Sequence, residues 1–312
     1  MAGKSAYVFP GQGSQYAGMG RDLAENYAAA RTIFDEADDA LGFSLSKLCF
    51  EGPAEELQLT ENTQPAILTV SVATFESIKS EGFPPPSYVA GHSLGEYSAL
   101  VCGGAISLAD AVKTVRARGR YMQEAVPVGT GAMAAVIGVP LDAIESACSQ
   151  ASGDQICAPA NINSPNQIVI AGNAEAVDRA IDILRERGAK RLIKLNVSAP
   201  FHCGLMMPAQ ERLAADLAKL HFKNSEIPIV TNVDAQSTTD AAELRAALVR
   251  QVSSPVRWQA SVELLIGKGV NTFIEVGPGK VLTGLLRQIN RAAAGRNVED
   301  SASLAEARQL AV

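Results

Sequence analysis

Histidine, paired cysteine, basic charge and long apolar runs are what this sequence has least of. Only three histidines stand among its 312 residues, so imidazole chemistry has few candidates. The five cysteines, Cys49, Cys102, Cys148, Cys157 and Cys203, form no C-x-x-C pair. That scatter excludes a thiolate zinc site or a disulfide framework and leaves buried free thiols in a reducing compartment. No run approaches the ~18 apolar residues of a membrane helix, and Met1–Pro10 has no apolar stretch of signal-peptide length. A soluble cytoplasmic protein with no membrane partner is expected. Basic residues number 27 against 33 acidic, a net charge of −6, which argues against a nucleic-acid partner because that needs a basic face. Aromatics are only 5% while Ala and Gly are abundant, which suits tight helix–sheet packing better than a β-sandwich.

What is present is apolar material for a large core, 47% against 19% charged residues. The length suits about two domains. Ser5–Pro10 is a short apolar strand broken by GQGSQ at Gly11–Gln15, with helix following to about Leu41. A second helix is predicted from Gln64-Pro65, where proline suits the first turn, to Lys79. Phe83–Pro86 stops it, Tyr88–Ala90 is the next strand, and GHSLGE leads into a helix over Tyr97–Val101. This alternation predicts an α/β protein with a parallel, doubly wound core.

The middle of the chain follows another rule. Gly131–Val139 is predicted as strand, Leu141–Gln150 as helix, and Ile156–Ile162 and Gln167–Ala171 as a hairpin around Ser164-Pro165-Asn166. Asn173 is a candidate N-cap for a helix carrying Val177, Ala180, Ile181 and Leu184 on one face and closed by Gly188. Lys190–Val197 is the last strand of the group. The order βαββαβ is the ferredoxin-like pattern, expected as a small domain, 128–198, inserted into a core formed by 1–127 and 199–312. Alternation then resumes with Ile227–Asn232, a helix to Gln251, and Thr272–Val276 ahead of Gly277-Pro278-Gly279. The tail after about residue 290 is polar and Ala-rich and receives no element.

Gly91-His92-Ser93-Leu94-Gly95 matches G-x-S-x-G in the required setting, strand before and helix after. Such a turn presents the Ser93 hydroxyl at a helix N-terminus, where backbone N–H groups favour developing negative charge. A structural turn is the competing interpretation. A serine nucleophile needs a base. His92 adjoins Ser93 and is expected to pack beneath the turn, and His221 follows a helix whose carbonyls could satisfy it. His202 opens a helix just beyond a strand, at the carboxyl end of the sheet with Ser93, and is the base by elimination.

GQGSQ, GHSLGE at Gly91–Glu96, RARGR at Arg116–Arg120, APFH at Ala199–His202, QVSSPVRW at Gln251–Trp258 and GPGKVLTGL at Gly277–Leu285 occur in that order. Together they resemble the acyltransferase family of fatty acid and polyketide synthesis, its bacterial malonyl-CoA:acyl carrier protein transacylases in particular. The resemblance spans nearly the whole chain and weakens after about residue 290. It implies a hydrolase-like core with a ferredoxin-like insert and a Ser–His dyad on Ser93 and His202. The backbone carbonyl at Gln251 would orient the imidazole in place of a carboxylate. Gln251 also completes an inward face with Leu244, Ala247 and Leu248, where a polar side chain needs partners of its own. The resemblance implies an oxyanion hole from the Gln12 and Leu94 amides. Leu94 follows independently as the residue after the nucleophile, whereas Gln12 alone reads equally as a turn residue.

Arg118 matches the family arginine that pairs with the malonyl carboxylate, a task suited to a planar, permanently charged fork. Arg116 and Arg120 flank it, and the sequence leaves open which of the three turns inward. Phe201 fits the malonyl-type pattern. Coenzyme A and acyl carrier protein are both anionic, against the net charge. Residues 179–194 offset this with six basic residues against Asp182 and Glu186. Arg187, Lys190, Arg191 and Lys194 form a candidate docking patch there, or an ordinary solvated helix end.

The reaction so implied is malonyl transfer from malonyl-CoA to the phosphopantetheine thiol of acyl carrier protein through an ester on Ser93, with no metal or other cofactor and as a monomer. The alternatives are a discrete acyltransferase serving a polyketide synthase, a serine thioesterase or esterase, and a non-catalytic binding module.

Overall fold

A computed structural model describes residues 3–195, 197 and 199–308. From the N-terminus run β1 (Lys4–Phe9), α1 (Arg21–Asn26), α2 (Ala28–Leu41), α3 (Leu45–Glu51), α4 (Ala54–Leu57) and α5 (Thr60–Ser80). Then come β2 (Tyr88–Gly91), α6 (Gly95–Cys102), α7 (Leu108–Glu124), β3 (Gly131–Ile137), α8 (Leu141–Ser152), β4 (Cys157–Ser164) and β5 (Gln167–Asn173). The second half holds α9 (Ala174–Glu186), β6 (Arg191–Lys194), α10 (Met207–Leu217), β7 (Ile229–Val230), β8 (Ser237–Thr238) and α11 (Ala241–Gln251). It ends with α12 (Trp258–Gly267), β9 (Val270–Val276), α13 (Val281–Ile289), β10 (Ala294–Val298) and α14 (Ser301–Arg308).

The main sheet has the order β10-β9-β1-β2-β7-β8, parallel except for the β7–β8 hairpin. Alternate residues of β1 enter opposite cores, as the strand period of two requires. Tyr7 and Phe9 pack with Phe34 and Phe75, while Ala6 and Val8 join Trp258 and Phe273. In the β1–β2 register Phe9 lies opposite Gly91, so the loops leaving these two strands emerge side by side at the carboxyl edge of the sheet. Crevices for ligands form at that edge.

The structure departs from the sequence expectation in several elements. α5 begins at Thr60 rather than Gln64, with Pro65 inside the helix. Pro65 forfeits one intrahelical bond, but nearly the whole helix is buried, and tertiary packing outweighs that local penalty. The strand expected over Ile227–Asn232 keeps only Ile229–Val230 and gains a hairpin partner in β8. The tail is ordered as far as Arg308: β10 pairs with β9, and α14 is tied down by Ser301 N–H to Asp22 (2.6 Å) and by Arg308 to Glu81 (2.6 Å). An edge strand burying mainly Val298 gives little periodic signal.

The second sheet, β4-β5-β3-β6, is wholly antiparallel. Ala134, Val136, Ile168 and Ile170 pack under α8 and α9, while Met133, Ala135, Val169 and Ala171 belong to the main core. Ile162 N–H to Val256 O and Val256 N–H to Ala160 O, both 2.9 Å, join this sheet to the main body. Asn173 stands at the N-cap of α9 but makes no cap bond; its Oδ1 accepts from Ile156 N–H (2.8 Å). Gly188, at φ 85°, closes the helix as expected. β6 covers Arg191–Lys194 of the expected strand, whose Asn196 lies outside the described residues, as does the boundary residue Ser198.

Candidate active site

β2 hands over to α6 through a turn in which Ser93 has φ 53°. A non-glycine residue there carries strain of about 1–3 kcal/mol and persists only where its surroundings over-determine it. Glycine on either side is obligatory: a Cβ on Gly91 would lie 1.9 Å from the Gly95 carbonyl carbon, and one on Gly95 would lie 2.1 Å from Phe9 O. Asn232 clamps the turn, accepting from Ser93 N–H (2.6 Å) and donating to Gly91 O (2.6 Å). Gln251 Nε2 donates to Ser93 O (3.0 Å).

Of the three histidines it is His202 that reaches the serine, with Nε2 2.7 Å from Ser93 Oγ. Its Nδ1 lies 2.9 Å from the Gln251 carbonyl, which can only accept, so Nδ1 carries the hydrogen and Nε2 is left basic. Burial, then the Arg118 charge, pushes the His202 imidazole down to about 3. A neutral carbonyl behind the ring does not offset this as a carboxylate would, so the ring is unprotonated at neutral pH. His92 packs beneath the turn as expected, with Nε2 2.8 Å from Asn163 Oδ1 and its ring 5.8 Å from that of Trp258. His221 is exposed beyond α10.

The three arginines of α7 separate cleanly. Arg118 is 2% exposed and donates to Gln64 Oε1 (2.7 Å), Gln251 Oε1 (3.0 Å) and Ser93 Oγ (3.1 Å). Arg116 lies over the Phe43 ring at 4.4 Å, and Arg120 faces Glu124 at 3.9 Å. The Arg118 Nε has no partner among the described residues, and burial lowers the pKa of its guanidinium. Desolvated and directed at Ser93 by neutral amides, it can engage a carboxylate carried on an acyl group.

A cleft opens over Ser93, walled by Met122, Met133, Leu195 and Phe201. Gln12 and Leu94 line it from the β1 and β2 loops, and among the described residues neither backbone N–H has an acceptor. The Gln12 side chain reaches Thr60 Oγ1 (3.3 Å). Gln12, His92, Asn161 and Leu195 also line a neighbouring cleft that runs to Val281 on α13. His202 and Arg118 thus meet at the Ser93 hydroxyl, Gln251 binds both of them, and Gln12 and Leu94 line the cleft beside it.

The docking candidates are elsewhere, on the small sheet and its helix. Arg187 is bound over α8, to Gln150 Oε1 (2.8 Å) and Ser146 Oγ (3.3 Å), and Lys194 pairs with Asp178 (2.5 Å). Lys190 and Arg191 are exposed. Among the described residues no group of His, Cys, Asp and Glu could hold a metal, and no helix is long and apolar enough to cross a membrane.

Sequence reasoning missed Gln64, Asn232 and Glu96. Glu96 is fully buried, and its Oε2 accepts from Gln251 Nε2 (2.8 Å) and Asn232 N–H (3.0 Å). Its signal was a carboxylate in the first turn of an otherwise buried helix. Gln64 and Asn232 gave none, being single amides, one inside α5 and one just beyond β7.

Residues 6–307 match the acyl transferase domain family. A malonyl CoA-acyl carrier protein transacylase of Salmonella typhimurium is 52% identical over 284 residues, 91% of this chain and 92% of that one. An acyl carrier protein S-malonyltransferase of Vibrio cholerae superposes with a TM-score of 0.96 at 50% identity, covering 97% of this chain and 99% of the other. A malonyl-transacylase solved in complex with a type II polyketide acyl carrier protein superposes equally well, TM-score 0.96 at 48% identity, covering 98% and 99%.

Proposed function

The chain belongs to the acyl transferase family, and we propose that it moves a malonyl group from malonyl-CoA to the phosphopantetheine thiol of acyl carrier protein, for fatty acid synthesis. His202 Nε2 takes the Ser93 proton while Oγ attacks the thioester carbon. The oxyanion rests on the Gln12 and Leu94 amides. The C–S bond breaks, the imidazolium returns its proton to the departing thiolate, and a malonyl ester remains on Ser93. The carrier thiol then repeats these steps in reverse, a ping-pong cycle that draws on no metal or redox group.

The observation that carries this reading is the buried Arg118 guanidinium 3.1 Å from Ser93 Oγ. A simple esterase has no use for a desolvated cation beside its acyl group, whereas a malonyl ester brings a carboxylate to meet it. A binding module would not need Ser93 and His202 in hydrogen-bond contact. The likeness to the transacylase solved with a polyketide carrier favours one second reading, the same half-reaction with a polyketide carrier as acceptor.

In this reading residues 128–198 form a ferredoxin-like domain, for which the strand order β4-β5-β3-β6 is the support, set into a hydrolase-like core of 1–127 and 199–312. Lys190 and Arg191, with Arg187 and Lys194 beside them, meet the acidic carrier. The protein works as a cytoplasmic monomer. Intact-mass spectrometry after mixing with malonyl-CoA tests the reaction: a malonyl adduct mapped to Ser93 and discharged by acyl carrier protein is expected. An unmodified chain, or an adduct elsewhere, would overturn it.

A further inference from the structure

Arg118 is a buried cation whose direct partners, Gln64, Gln251 and Ser93, are all neutral. A desolvated charge needs a counter-charge, and the nearest route to one runs through Gln251. The Gln251 amide accepts from Arg118 Nη2 at Oε1 (3.0 Å) and donates from Nε2 to Glu96 Oε2 (2.8 Å). The same amide nitrogen reaches Ser93 O (3.0 Å), and the Gln251 backbone carbonyl holds His202 Nδ1 (2.9 Å). Glu96 Oε2 also accepts from the N–H of Asn232, the residue that clamps both sides of the serine turn.

We propose that Glu96, as a carboxylate, is a positioning residue of this site: it fixes the Gln251 amide and Asn232, and through them the Arg118 guanidinium, the His202 imidazole and the serine turn. Protonated, it would do this poorly. A proton on Oε2 competes with two N–H donors, and one on Oε1 faces no acceptor, since that atom has no partner among the described residues.

The charged and titratable groups around Glu96 are Arg118 from α7, Asp234 and Arg250 from the β7–β8 turn and α11, and Tyr97 on its own helix. Asp234 and Arg250 form a two-pronged pair (2.7 and 2.7 Å) and largely offset each other. Burial pushes the Glu96 carboxyl up to about 7, against the pull of its two donors and Arg118. Its charge therefore changes over a range in which His202, held down to about 3, stays neutral.

This inference rests on the Ser93 reaction proposed above, and its test keeps the two apart. Acylation of Ser93 by the malonyl thioester of N-acetylcysteamine, a donor without phosphates to titrate, is timed by intact mass between about pH 5.5 and 8.5. Wild type, Glu96→Gln and Glu96→Asp are compared, with thermal melting as the control for folding. The wild-type rate should rise with pH through a midpoint near 7. Glu96→Gln, an uncharged copy of the protonated side chain, should show no such limb and lie on the order of 10²-fold below the wild-type plateau, in kcat rather than KM. Glu96→Asp should recover part of the rate and keep a limb with a displaced midpoint. A merely structural role would lower the rate at every pH and leave the limb untouched.

A wild-type adduct whose formation is flat with pH overturns the inference without any variant. So does a limb that survives in Glu96→Gln or ignores Glu96→Asp, or a Glu96→Gln rate equal to wild type. Failure of wild type to form the adduct at all sinks the reaction assignment instead.

Discussion

Arg118 and the cluster Arg187, Lys190, Arg191 and Lys194 use similar cations in opposite surroundings. Arg118 is almost wholly desolvated, and its direction is fixed by amides of α5 and α11. The cluster is water-exposed, and two of its members are engaged locally on α8 and α9. A buried charge acts strongly on whatever replaces water beside it, while an exposed one is screened and acts mainly on encounter. The first should therefore govern chemistry and acyl choice, the second association.

The largest effect should come from the hydroxyl on which the buried group converges. Ser93→Ala should abolish the malonyl adduct while leaving the melting temperature within a few degrees, because the Asn232 and Gln251 clamps act on the backbone. A stable adduct in the mutant would show that the buried guanidinium does not converge on the reacting group. His202→Ala should slow adduct formation and discharge alike by ~10²–10⁴, and more if the pair acts as a unit. Retained activity in that mutant would shift the base to His92, despite its contact with Asn163.

Arg118→Ala removes the buried cation itself. It leaves a malonyl carboxylate desolvated and unpaired, costing roughly 2–5 kcal/mol in kcat/KM, whereas an acetyl group loses no partner. The ratio of malonyl-CoA to acetyl-CoA turnover should collapse, and an unchanged ratio would show that burial does not confer the selectivity. The smallest effect belongs to the surface. Charge reversal at Lys190 and Arg191 should raise KM for acyl carrier protein severalfold with kcat nearly unchanged, and the difference should fade with added salt. Free pantetheine as acceptor should ignore both changes. Equal loss with both acceptors would mean the substitutions damaged the fold or the site rather than a docking face.

Legibility in the sequence followed the same division. The serine turn was readable because G-x-S-x-G joins a steric need to a chemical one. The α9 face was readable because Val177, Ala180, Ile181 and Leu184 repeat at the helical period. The start of α5 and the strand β10 were not. Packing carried the helix past Pro65, and an edge strand shows mostly polar residues to water. Among the candidate residues, those marked by a chemical motif or by an inward polar position were legible, and the partners Gln64, Asn232 and Glu96 were not.

Local rules were enough to read the alternation of elements, the serine turn and a short list of candidate partners, since turn sterics and hydrophobic period are local properties. Which arginine turns inward, which histidine meets Ser93, and that Gln251 joins a guanidinium to a buried carboxylate came only with the packed fold. Those contacts join residues up to 155 positions apart. Their strength comes from the exclusion of water, a property that belongs to the packed whole and to no segment of the chain.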